Sequence, residues 1–330
     1  MSPTGLVDGH GRQITYLRLS VTDQCNFRCV YCMPPEGIAP LKKSCYMTPD
    51  EMVEFTRALA AMGVWRVRLT GGEPLLRKDI VPLAERLARV PGVRDLALTT
   101  NGEHLAPLVD DLKRAGIGRM NISLDSMDPE RFHHMTKVPV FNQVMDGIDK
   151  TLSAGLKVKI NVVAMNGISP EEIDAFARFA MEHPVEVRFI EFMPLCGTGW
   201  HPELVLPIEV VRSRIRQTYR LEPLPRGSEV AESYRLVGGK GKVGFIASMT
   251  EPFCSTCSRI RISATGQIQL CLFSRLTHNI LPVLRSGAGQ LEIQQTVRDA
   301  VLSKPASHPW ADHTTGALPQ DNALIRAIGG

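Results

Sequence analysis

Six of the eight cysteines in this 330-residue chain fall into two tight sets, Cys25/Cys29/Cys32 and Cys254/Cys257/Cys271. The first set is spaced C-x3-C-x2-C and the second C-x2-C-x13-C. Residues 1–11 show no apolar leader, so the thiols are expected to stay reduced and the protein to be cytoplasmic. Three thiolates suit a four-iron cluster with three irons bound by the chain and the fourth open to an outside ligand. Structural zinc prefers four protein ligands. No fourth Cys or His lies near the first set, whereas His278 would complete a zinc ribbon with the second, so both metals stay open there. Cys45 and Cys196 stand alone and are assigned no role.

Cations accompany the second set. Arg259 and Arg261 lie two apart in a predicted strand, so both guanidiniums share one face and can grip a single anion with forked donors. Arg18, Arg68 and Lys159 lie on or near other predicted strands, and together these cations could converge on a triphosphate. Lys157 shares a strand face with Lys159, so either lysine could serve. The segment Gly71-Gly72-Glu73-Pro74 follows a predicted strand, and its glycines would let the backbone approach a ligand closely.

These residues need a scaffold. β-rich runs over 16–22, 64–69, 94–99, 119–124, 157–163 and 185–192 alternate with helical periodicity over 49–62, 80–90, 105–115, 141–154 and 170–182. Thr48-Pro49-Asp50-Glu51 and Ser169-Pro170-Glu171-Glu172 are helix starts, and Gly63, Gly116 and Gly155 are stops. The cysteine loop leaves the end of the first strand, where α/β folds place ligands. The pattern predicts an α/β fold: a partial (βα)6 TIM-like barrel over 1–200, with a C-terminal α+β extension over 201–330 covering its open side. Helices over 208–219 and 291–302 belong to that extension.

Composition narrows the function. A 44% hydrophobic, 22% charged chain is ordinary for a folded protein. A net charge of +4, with no block of like charge, argues against a nucleic-acid binder. No apolar run is long enough to span a membrane.

The C-x3-C-x2-C loop with Tyr31 inside it, followed by Gly71-Gly72-Glu73-Pro74, resembles the radical S-adenosylmethionine superfamily. Further motifs resemble its GTP 3′,8-cyclase family, also called the molybdenum cofactor biosynthesis protein A family. They are Leu17-Arg18-Leu19-Ser20-Val21-Thr22-Asp23, Thr99-Thr100-Asn101-Gly102, Ile122-Ser123-Leu124-Asp125-Ser126, Arg188-Phe189-Ile190-Glu191-Phe192-Met193-Pro194 and the terminal Gly329-Gly330. The resemblance covers the chain from about residue 16 to its end.

It implies two [4Fe-4S] clusters, one on each cysteine set, with S-adenosylmethionine on the open iron of the first and guanine on that of the second. A 5′-deoxyadenosyl radical would take hydrogen from C3′ of GTP, and C3′ would then bond to C8, opening molybdenum cofactor biosynthesis. Tyr31, Gly72, Ser123 and Met193 correspond to S-adenosylmethionine contacts. Arg18, Arg68, Thr99, Lys159, Arg259, Ile260 and Arg261 correspond to GTP contacts, and Gly329 and Gly330 to a tail entering the active site. The implied partners are GTP, a flavodoxin-like electron donor and cyclic pyranopterin monophosphate synthase as the next enzyme, with room for a homodimer.

Overall fold

The computed structural model describes residues 5–309 apart from 35, 38, 169, 196–197, 227–228 and 275–276. The strands are β1 (Tyr16–Ser20), β2 (Arg66–Thr70), β3 (Asp95–Thr100), β4 (Arg119–Ser123), β5 (Lys157–Ala164), β6 (Val185–Glu191), β7 (Leu221–Pro223), β8 (Glu232–Leu236), β9 (Lys242–Ile246), β10 (Arg259–Ile262), β11 (Gln267–Gln269) and β12 (Thr277–Asn279). The helices are α1 (Pro49–Ala61), α2 (Ile80–Ala88), α3 (Val109–Arg114), α4 (Pro129–Thr136), α5 (Phe141–Ser153), α6 (Pro170–Glu182), α7 (Ile208–Thr218), α8 (Leu281–Arg285) and α9 (Gln290–Leu302).

All twelve strands form one sheet in the order β12-β11-β10-β1-β2-β3-β4-β5-β6-β9-β8-β7. Strands β1 to β6 pair side by side and parallel, the arrangement a βα repeat dictates. The later strands prolong this sheet at both edges: β10 joins β1 and β9 joins β6, each parallel. Antiparallel hairpins finish the two ends. The sheet stays open, a partial barrel.

Alternation along each strand separates core from interior. Leu17 and Leu19, Val67 and Leu69, and Leu96 and Leu98 point outward and are buried under the helices in the main hydrophobic core. Arg18 and Arg68, between their leucine and valine neighbours, and Thr99, next after Leu98, point inward. The interior of a closed TIM barrel is filled with apolar side chains; here polar groups such as Arg18, Arg68, Thr99 and Asn161 share the wall with apolar ones such as Val163, Ile190 and Ile246.

Local signals behave as their chemistry requires. Thr48 and Glu51 form a reciprocal capping box at α1, with Glu51 N–H donating to Thr48 Oγ1 at 3.2 Å and Thr48 N–H to Glu51 Oε2 at 2.7 Å. The expected cap Ser169 lies outside the described residues. Helix α4 was not anticipated, although Asp128 caps it by accepting from Arg131 N–H at 2.8 Å. It has eight residues, too few for a clear periodic signal. Among the described residues, no helix is long and apolar enough to cross a membrane.

Candidate active site

The loop after β1 carries Cys25, Cys29 and Cys32, and its shape is imposed from several sides. Phe27, between the first two cysteines, is buried edge-on against Phe132 of α4 at 6.1 Å. Burying such a ring stabilises the loop by about 1.5–3 kcal/mol. Arg28 N–H and Val30 N–H donate to the carbonyls of Thr136 and Met135 at the end of α4, each at 3.0 Å. Gly71 and Gly72 lie against the loop's other flank, where Gly72 N–H donates to Thr22 O and Glu73 N–H to Gln24 O, both at 2.7 Å. A Cβ on Gly72 would stand 2.1 Å from Gln24 O, so only glycine fits.

Two buried carboxylates hold the surroundings. Glu73 accepts from Leu75 N–H, Thr100 Oγ1 and Asn101 N–H at 2.7–2.9 Å, and Asn101 Nδ2 reaches Asn26 of the cysteine loop at 2.8 Å. Burial pushes its carboxyl up to about 7 against these donors. Asp125 accepts from Tyr31 OH and from Val163 N–H. Burial, and then the neighbouring Asp125 and the other two cysteines, push the Cys29 thiol well up.

The second set forms at the opposite ends of the strands. Cys254 and Cys257 precede β10, while β11 returns antiparallel with Gln269 opposite Arg261. Cys271, two residues past Gln269, therefore comes back to the start of β10, which explains the long x13 spacing. Around this set the field is positive. Burial works against ionisation of Cys257, but Arg259 and Lys304 outweigh it and bring the thiol to about 6.

Between the two sets runs a row of guanidiniums. The register places Arg18 beside Arg68 on β2 and beside Arg261 on β10, all on the inward face. Burial and then the neighbouring Arg68 and Arg261 push the Arg18 guanidinium down. Arg68 Nε, Arg261 Nε and Thr99 Oγ1 are buried and make no hydrogen bond among the described residues. Like charges massed inside a protein are costly unless an anion balances them. Further round the barrel Glu229 links Arg66 at 3.1 Å, Arg188 at 3.0 Å and Lys159 at 3.5 Å.

Both thiol sets line one cavity, together with Arg18, Arg68, Thr99, Arg188, Arg259 and Arg261. Among the described residues no three His, Cys, Asp or Glu side chains are grouped to hold a single metal ion. The donors in the wall come as three thiols per set, the donor type of an iron–sulfur group. His278 does not complete the second set, since it lies in β12 outside the cavity wall with Nε2 3.2 Å from Ser303 Oγ. The donor sets fit iron–sulfur groups.

Comparison with known proteins agrees with this geometry. Residues 19–180 match the model of the Radical SAM superfamily and residues 185–310 that of Molybdenum Cofactor Synthesis C. A GTP 3′,8-cyclase of Thermodesulfovibrio yellowstonii is 41% identical over 98% of this chain and 99% of its own length. One of Moorella thermoacetica is 43% identical over the same shares. The chain belongs to the GTP 3′,8-cyclase family. It is a radical S-adenosylmethionine enzyme, a class that uses S-adenosylmethionine and an iron–sulfur cluster. A crystal structure of Streptococcus suis SuiB bound to S-adenosylmethionine shares the fold, with a TM-score of 0.65 and 13% identity over 96% of this chain and 78% of that one.

In this enzyme the cavity wall gathers most residues singled out from the sequence: the six paired-set cysteines, Tyr31, Gly72, Ser123 and Met193, and Arg18, Arg68, Thr99, Arg259 and Arg261. Lys159 is not in the wall but sits in the ion network, 3.2 Å from Glu186 and within reach of Glu229. Lys157 is exposed at the start of β5. Ile260 is fully buried and faces the outer core. Gly329, Gly330 and Cys196 lie outside the described residues, and Cys45 is exposed. Sequence reasoning gave no role to Asn161, to Arg188, which opens one of the family motifs, or to His308, and all three also line the cavity. Inward alternation on β5 and β6 was the available signal for the first two. His308 had none, because it follows the last helix in an irregular segment.

Proposed function

We propose that this enzyme converts GTP to (8S)-3′,8-cyclo-7,8-dihydroguanosine 5′-triphosphate, the first step of molybdenum cofactor biosynthesis. The observation that carries this reading is a single cavity joining two three-cysteine sets across a row of buried arginines. Cys25, Cys29 and Cys32 would hold one [4Fe-4S] cluster, and Cys254, Cys257 and Cys271 a second. With S-adenosylmethionine bound, the first cluster supplies one-electron cleavage of the sulfonium and hence a group able to take hydrogen from carbon.

The chain supplies placement. Tyr31, Gly72, Ser123 and Met193 line the S-adenosylmethionine end, and Asp125 orients Tyr31 there. Arg18, Arg68, Arg259 and Arg261 hold the triphosphate in the interior, where forked donors balance its charge. Thr99 directs its hydroxyl at the nucleotide, and Lys159 reaches it from the ion network. The second set fixes the purine at the far end, so that C3′ of the ribose and C8 of the base are held close. Such positioning removes much of the entropic barrier, and the walled interior keeps water from the reacting carbons. Residues 1–200 serve the sulfonium end and residues 201–330 the purine end. An external one-electron donor of flavodoxin type completes the cycle, and cyclic pyranopterin monophosphate synthase takes the product.

Anaerobic reconstitution is expected to load about eight irons per chain, two four-iron clusters. With GTP, S-adenosylmethionine and a reductant, mass spectrometry is expected to show the cyclised nucleotide together with 5′-deoxyadenosine. If 5′-deoxyadenosine forms while GTP is left intact, the reading fails.

A further inference from the structure

The segment after α9 runs along the back of the second cysteine set and puts a lysine there. Lys304 is 3% exposed, and its ammonium donates to Arg259 O at 3.1 Å and to Leu270 O. Arg259 stands two residues after Cys257, and Leu270 directly precedes Cys271. The thiols Cys257 and Cys271 and the guanidiniums of Arg261 and Arg259 act most strongly on the ammonium, and among the described residues no carboxylate forms an ion pair with it. A buried ammonium among other cations is unfavourable by itself. Its natural counter-charge is on the sulfurs.

Arg12, in the segment before β1, works beside it. Its Nη1 donates to Cys254 O and Ala306 O, each at 2.8 Å, and its Nη2 to Pro305 O at 2.6 Å. Unlike Lys304, Arg12 has its charge balanced, by Asp8 at 2.6 Å. The two side chains thus clasp the carbonyl of Cys254, that of Leu270 beside Cys271, and that of Arg259 two residues past Cys257. Both also tie in residues 304–306, just before His308, whose backbone N–H donates to Cys254. The first set has a different setting, with the carboxylate of Asp125 beside Cys29.

We propose that Lys304 is the positioning and charge-compensating residue of the second iron–sulfur site, with Arg12 as its mechanical partner. The inference rests on the reading that Cys254, Cys257 and Cys271 hold a four-iron cluster. Reduction adds negative charge to such a cluster, and a fixed cation nearby favours the reduced form. Lys304 therefore raises the reduction potential of the second cluster and closes the backbone around it.

The test uses the full-length chain reconstituted anaerobically, with iron content measured and each cluster titrated potentiometrically by electron paramagnetic resonance. Lys304→Met is expected to keep the first cluster and its potential. Its second cluster is expected either to titrate at a more negative potential than in the unaltered chain or to be lost selectively. Lys304→Gln keeps a donor for one carbonyl without the charge; it is expected to load the second cluster and still show the negative shift. If Lys304→Met does not accumulate as folded protein, Lys304→Gln carries the test alone. An unshifted second potential in either loaded variant overturns the inference. Failure of the unaltered chain to load iron at the second set would instead overturn the cluster reading beneath it.

Discussion

A guanidinium placed by strand register is a more exact device than a cluster of surface lysines. Arg18, Arg68 and Arg261 stand side by side on three neighbouring strands, and the spacing of the sheet sets the distance between their forks. Arg261 is 3% exposed, so its charge acts where water screens little. Arg261→Ala is expected to weaken GTP binding by about 1.5–3 kcal/mol, roughly tenfold to somewhat over a hundredfold. S-adenosylmethionine cleavage, proposed for the other end of the cavity, should be little changed. Isothermal titration with GTP and a separate 5′-deoxyadenosine assay check both halves. The inward positions of these arginines were legible in the sequence, because alternation with Leu17, Leu19, Val67 and Leu69 fixes which face each one takes. Lys159 shows the limit of that logic. Its face was correctly inward, but alternation says nothing about which anion it meets, and Glu186 and Glu229 come from distant parts of the chain.

At the scale of elements, the site depends on two loops that touch. The sequence reading gave Gly71 and Gly72 the task of letting backbone approach a ligand. In the structure their tight approach is to Thr22 and Gln24, in the loop that bears the first cysteines. The two tasks are compatible, since the same pair of extended segments can close on the loop and still offer Gly72 to the cavity. No local pattern could have shown this contact, which arises from the pairing of β1 with β2. Helix α4 was missed for a related reason: its importance lies in the cysteine loop bonded to its last carbonyls, a tertiary fact. Gly72→Ala would force its Cβ into a backbone oxygen that cannot swing aside. The expected outcome is a chain that loads iron at the second set but poorly at the first, with S-adenosylmethionine cleavage lost and overall folding retained. Iron counting and circular dichroism on the same sample read out each part. Normal loading of both sets would show that the loop shifts freely, against the geometry described here.

On the scale of the whole molecule, the repeat of strand and helix was legible, as were the extension's helices over 208–219 and 291–302, but the pairing of the extension's strands was not. Six parallel strands follow from alternating periodicity, whereas β9 and β10 are short runs whose parallel partners, β6 and β1, are far away in sequence. Nothing local distinguishes a strand that prolongs a barrel from one that covers it. The outcome matters for chemistry, because β10 delivers the second cysteine set to the end of the barrel opposite the first while its arginines join the same interior row. The two ends are therefore separable in principle, with sulfonium cleavage proposed for one and purine binding for the other. Cys257→Ala tests that division. A two-thiol site should not retain a competent cluster, so iron should fall to about half, one four-iron cluster instead of two. The first set, built from β1, β2 and α4, should load and cleave S-adenosylmethionine slowly under strong reductant, while cyclisation of GTP disappears. Retention of full cyclisation by this variant would mean that the purine is fixed by other groups in the cavity, and that the positive field around Arg259, Arg261 and Lys304 serves the triphosphate alone.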